Sequence, residues 1–131
     1  MSGASRRSKQ IVRDIAGLID CIDEVTRVLG NYGHLCAELA GQVERGKTLP
    51  DAFGALEGPI QKREVTEVLS RLEHARHRVR VSLFALADEQ KMSASEVARQ
   101  LGISRQLASR IAKEARHCDG RAKPRRQSDR T

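Results

Sequence analysis

IVRDIAGLIDCIDEVTRVLGNYGHLCAELAGQV, residues 11–43, decides the fold. Ile11, Ile15, Leu18, Ile22, Val25, Leu29, Tyr32, Cys36, Leu39 and Val43 follow one another at alternating steps of four and three without a miss. That 3.5-residue period belongs to a helix with a long apolar seam; a strand would alternate by two. About 36 helical residues would reach roughly 54 Å. Residues 15, 22, 29, 36 and 43 take the a positions of the heptad and the others take d. Val12, Ile19 and Ala40 stand at e, and Cys21, Val28 and Leu35 at g, where a solvated two-stranded coil would carry charge. A stripe this wide calls for more than one neighbouring helix, so a bundle is expected. Gly30 and Gly33 each cost about 1 kcal/mol relative to Ala, and any bend would fall there.

Outward from this stretch, Gly46, Pro50, Gly54, Gly58 and Pro59 punctuate a break. Leu49, Phe53 and Leu56 could still form a turn or two of amphipathic helix inside it. Gly58-Pro59 reads as the start of a second helix. Val65, Leu69, Leu72, Val79, Leu83 and Leu86 continue a second heptad, interrupted at Arg76, to about Glu89. Two long helices joined by a short connection fold back as an antiparallel hairpin, either within one chain or exchanged between subunits. The expected class is all-α, with 9–73 forming this hairpin. Residues 1–8 are expected to be a disordered basic arm, 74–117 a compact C-terminal unit, and 118–131 a disordered basic tail.

Aromatic residues make up 2% of the chain and Trp is absent, which leaves a core of Leu, Ile, Val and Ala. The net charge of +7 is uneven. Residues 92–131 hold 10 Lys and Arg against 4 Asp and Glu, hence +6, and residues 1–13 add +4. Residues 14–91 hold 10 basic against 13 acidic side chains, hence −3. Basic ends on an acidic middle point to a polyanionic partner. The basic C-terminal part lacks the long apolar face of an interfacial helix, so a membrane partner is not expected. Met1 to Gln10 is polar and basic, and the three cysteines lack CxxC spacing. The expectation is a cytoplasmic, nucleoid-associated protein with reduced thiols, two of them buried as small hydrophobes.

The segment SASEVARQLGISRQLASRIAKEAR, Ser93 to Arg116, carries the functional signal. Ser93 and Glu96 have the spacing of a capping box. A short helix runs to Leu101, Gly102 supplies a turn at positive φ, and Ser104 caps a second helix. Val97, Ala98, Leu101, Ile103, Leu107, Ala108 and Ile111 are expected inside, covered by Leu83, Leu86 and Ala87. Arg105, Gln106, Ser109, Arg110 and Lys113 are expected outside.

VARQLGISRQLASRIA, Val97 to Ala112, resembles the helix-turn-helix of bacterial regulators of the lactose-repressor and sigma-region-4 kinds. The matching features are Ala98, Gly102 four residues on, Ile103-Ser104 in the turn, and Ser109-Arg110-Ile111 late in the second helix. The resemblance covers 93–116 and says nothing of the N-terminal hairpin. It implies that the second helix enters a major groove of double-stranded DNA. Arg105, Gln106, Ser109 and Arg110 would then reach base edges, with Arg suited to guanine and Gln to adenine. Ser95, Arg99, Ser104, Lys113 and Arg116 would contact phosphates, as would Arg121, Lys123, Arg125 and Arg126 in the tail. One recognition helix reads few base pairs, so a homodimer is expected, with Ile15, Leu18, Ile22, Val25 and Leu29 contributing to dimerisation.

Other signals are weaker. Gly41 to Thr48 matches GxxxxGK(S/T), yet it follows a helix rather than a strand and precedes Leu49-Pro50. A helix C-terminus offers carbonyls, the wrong polarity for phosphate, and Gly46 reads as its terminator. His74 and His77 supply two metal ligands at most, and Asp23-Glu24 reads as a solvated face. No catalytic constellation, metal site, cofactor or small-molecule ligand is expected. The expectation is a dimeric transcriptional regulator, acting as a repressor. An architectural or plasmid-partition DNA-coating protein, or a helical interaction adapter, are the alternatives.

Overall fold

The computed structural model describes residues 5–58 and 62–120, apart from the side chains of 62 and 118–120. Every regular element among the described residues is helical: α1 (Arg6–Glu44), α2 (Leu49–Gly54), α3 (Lys62–Glu89), α4 (Ala94–Leu101) and α5 (Arg105–Gly120). No helix among them is long and apolar enough to cross a membrane. The chain divides into two compact units, Met1–Gly17 with Ala75–Thr131, and Leu18–His74. The basic arm expected to be disordered through residue 8 instead contributes Arg6, Arg7 and Ser8 to α1, where Ser5 Oγ accepts from the Ser8 amide at 3.1 Å. At the other end, helix continues to Gly120, beyond the boundary expected at 117.

In the unit spanning 18–74, α1 stays helical through Gly30 and Gly33, and it buries a different seam from the one its heptad marks most strongly. Val28, a g residue, is 3% exposed, and the d residues Leu18, Val25, Tyr32 and Leu39 are half-buried. The a and e residues stay out: Ile19 is 52% exposed, Ile22 46%, Leu29 39% and Val43 46%. A helix with apolar a, d, e and g positions has two usable seams, and the chain's own packing uses only d and g. Of the expected dimer residues here, Leu18 and Val25 are therefore partly taken up internally, and Ile22 and Leu29 are exposed.

The same rotation holds in the 62–74 part of α3. Val68 is buried while Leu69, expected inside, is 41% exposed. Arg71 joins the two helices: its Nη2 lies 2.9 Å from Glu24 Oε2, and its carbonyl lies 3.9 Å from Cys21 Sγ. Two of the three thiols were expected to be buried; Cys21 is half-buried and Cys36 is exposed. In α2, Thr48 caps the helix by accepting from the Asp51 amide at 3.3 Å. Ala52 is the buried residue there, and Leu49 and Phe53 face solvent.

In the other unit, Arg7 Nη1 donates to the Ala85 carbonyl at 3.0 Å, and Ser82 Oγ donates to Asp14 Oδ2. Residues rising along α1 thus meet residues falling along α3, an antiparallel pair. Ile11 is buried beside it, and Ile15, the remaining expected dimer residue, is 40% exposed.

Three helix ends close in one way. After α1, Gly46 takes φ 87°, its amide bonds Val43 O at 2.9 Å, and the Lys47 amide bonds Gln42 O at 3.2 Å. After α3, Lys91 takes φ 64°, with its amide on Asp88 O and the Met92 amide on Ala87 O at 2.8 Å. After α4, Gly102 takes φ 68°, with the Ile103 amide on Ala98 O at 3.1 Å. Each pairs two leftover carbonyls through one left-handed residue. At Gly46 this makes 41–48 a helix terminus followed by the Thr48 cap, with its amides spent on carbonyls. It is not a phosphate cradle.

Candidate functional site

The candidate site is the exposed side of α5, and the turn before it fixes which side that is. Ser93 and Glu96 form the reciprocal cap of α4: Ser93 Oγ accepts from the Glu96 amide at 3.1 Å, and Glu96 Oε1 accepts from the Ser93 amide at 3.2 Å. Gly102 ends α4 in the left-handed region, which costs a residue with Cβ roughly 1–2 kcal/mol. Two residues on, Ser104 Oγ accepts from the Leu107 amide at 3.0 Å and starts α5. The chain therefore turns over Gly102-Ile103-Ser104 with the Ala98 and Arg99 carbonyls and the Leu107 amide paired.

One apolar cluster locks the roll of α5. Val97, Ala98, Ala108, Ile111 and Ala115 are buried together with Phe84 and Ala87 of α3, and Leu101, Ile103, Leu107 and Ala112 pack on its edge. Ile111, at 1% exposure, is its most enclosed large residue. The inward positions of 93–112 are those expected from the sequence. Of the expected cover, Ala87 is in place, but Phe84, with Val81 and Ala85, stands where Leu83 and Leu86 were expected. Phe84 lies one position off the heptad stripe of α3, because that helix turns a new face toward α4 and α5. The interruption at Arg76 was the only mark of that change in the sequence.

At 100° per residue, Leu107, Ala108, Ile111 and Ala115 occupy one side of α5, and Arg105, Gln106, Ser109, Arg110 and Lys113 the opposite side. All five of the latter are exposed. Ser95 and Arg99 on α4 and Arg116 on α5 are exposed too, and Ser104 keeps its hydroxyl hydrogen available while its oxygen caps the helix. Both acidic residues between 93 and 117 are engaged: Glu96 in the α4 cap, and Glu114 with His77 Nε2 of α3 at 2.8 Å. The outward face is left with planar guanidinium forks at Arg105 and Arg110, an amide at Gln106 and an ammonium at Lys113. These groups can offer bidentate hydrogen bonds to flat acceptor edges and charge to anions. The tail residues Arg121, Lys123, Arg125 and Arg126 lie outside the described residues.

Sequence reasoning missed the braces behind this face: His77–Glu114, Ser82–Asp14 and Arg7 on the Ala85 carbonyl. In the sequence His77 stood only as one of two possible metal ligands, and Arg7 fell in an arm expected to be disordered. His74 Nδ1 lies 2.9 Å from its own helix carbonyl at Ser70, so the two histidines are turned to different partners. Among the described residues no cluster of three His, Cys, Asp or Glu side chains could hold a metal ion.

Compared with known proteins, the chain matches no protein-family model, no curated protein and no solved structure.

Proposed function

We propose that this chain is a sequence-reading DNA-binding regulator that binds as a homodimer, with α4 and α5 acting as a helix-turn-helix. The observation that carries the reading is the division of α5. Its inner face, with Ile111, is held by Phe84 and Ala98, and its outer face presents Arg105, Gln106, Ser109 and Arg110. A helix of 16 residues, about 24 Å long, fits a major groove, with its N-terminal turns at the bases. Arg105 and Arg110 would pair with guanine and Gln106 with adenine. Ser95, Arg99, Ser104, Lys113 and Arg116 would hold phosphates and set register. Arg121, Lys123, Arg125 and Arg126 would add salt-sensitive affinity.

Repression by occupying an operator needs no part beyond these. Selection of bound duplexes from a random pool, at stated salt, tests the reading. An enriched motif made of two related half-sites is the expected result. Uniform recovery of all sequences would favour a DNA-coating role, and no recovery would favour a protein adapter.

A further inference from the structure

We infer that a second copy of this chain docks antiparallel on the outer a/e face of α1, with Ile19 and Ile22 of one copy set against Cys36 and Gly33 of the other. This deepens the homodimer of the DNA reading by naming its surface, and its test reads mass rather than DNA, so either can fail alone.

From Ile19 to Val43 the outer face repeats at steps of three and four, the spacing a partner helix needs. Ile19, Ile22 and Leu29 are 52%, 46% and 39% exposed. The one hydroxyl in the seam is that of Thr26, which donates to its own helix at Ile22 O over 2.8 Å. It can therefore be buried without leaving a polar group unpaired.

Glycine supplies a second observation. Gly33, on this face, lies inside α1, where it weakens the helix, and a Cβ there would meet nothing within 4 Å. Nothing in the chain's own packing needs it small. A closely approaching helix would.

The order of sizes along the seam chooses the direction. Ile19, Ile22 and Leu29 weight its first half with large residues, and Gly33, Cys36 and Ala40 follow as small ones before Val43 ends it. A two-fold axis between Arg27 and Val28 sets Ile22 against Gly33, Ile19 against Cys36, and Thr26 against Leu29, large to small at each layer. A parallel pairing would stack isoleucine on isoleucine and face glycine with glycine, leaving a void.

Other occupants fit less well. Residues 18–44 hold Arg27 against Asp20, Asp23, Glu24, Glu38 and Glu44, a net charge of −4 that repels nucleic acid and anionic lipid, and all six lie at b, c and f positions, off the a/e seam that a second copy covers. Across that axis the stretch from Ile19 to Cys36 mates with its own copy over roughly 25 Å of helix.

Sedimentation equilibrium of the full chain at micromolar concentration tests this. The wild type is expected at twice its 14.5 kDa mass. Ile22→Lys and Gly33→Leu are expected at the monomer mass, with helical circular dichroism undiminished in Gly33→Leu, while Leu49→Lys, on exposed α2, stays dimeric. Under oxidation Ile19→Cys should give a covalent dimer through native Cys36, and I19C with C36S should not. A monomeric wild type, dimeric Gly33→Leu and Ile22→Lys, or cross-linking that survives C36S overturns the proposal.

Discussion

His77 on α3 and Glu114 on α5 meet at 2.8 Å, Nε2 to Oε1, and tie the C-terminal half of α5 to the helix that supports it. It shares that role with Arg7 and Asp14, polar groups that join α1 to α3. Both side chains are nearly half exposed, at 46% and 48%, so solvent screens the pair. Its value should fall in the roughly 0.2–1 kcal/mol range of exposed pairs. A double-mutant cycle of His77→Ala and Glu114→Ala, read from urea midpoints, should return a coupling of that size. Strict additivity of the two substitutions would remove the brace from the account.

The left-handed helix ends give a pair of changes with opposite signs. Gly102→Ala meets no neighbour within 4 Å, so its whole cost is backbone strain, about 1–2 kcal/mol of lost stability. Lys91 already pays that strain at φ 64°. Lys91→Gly should therefore stabilise the chain by roughly 0.5–1 kcal/mol, net of the glycine's added unfolded-state freedom. Denaturant unfolding checks both, and a destabilising Lys91→Gly would show that the lysine side chain has a role of its own.

Core and cap can be separated at the same site. Ile111→Ala opens a cavity at the most enclosed large residue of the cluster and should cost about 2–5 kcal/mol. Ser104→Ala removes only the acceptor of the Leu107 amide and should cost about 0.5–2 kcal/mol. Thermal or urea unfolding of the two variants should keep that order. Equal losses would mean that the turn, rather than the cluster, holds α5.

Local chemistry was the most legible part of the sequence. Ser93, Glu96, Gly102 and Ser104 each satisfy a specific backbone group, and such bonds depend on spacing of a few residues. The five outward residues of α5 follow from that start plus a 3.6-residue period. Which seam of α1 would face inward was not legible, because Ile15, Ile22 and Leu29 are as apolar as Leu18, Val25 and Val28. Only the rotation of α3, with Val68 in place of Leu69, selects between them. Phe84 was missed for the same reason, since a change of helix face leaves little trace in a heptad count.

Base reading by the outer face of α5 is open to one direct measurement. Fluorescence anisotropy at fixed salt should compare the wild type with Arg105→Ala and Arg110→Ala, on the duplex enriched by selection and on a random duplex. Each substitution should weaken binding to the enriched duplex by about 1–3 kcal/mol and leave binding to the random duplex nearly unchanged. Equal weakening on both duplexes, with folding intact by circular dichroism, would contradict the claim that these side chains read bases.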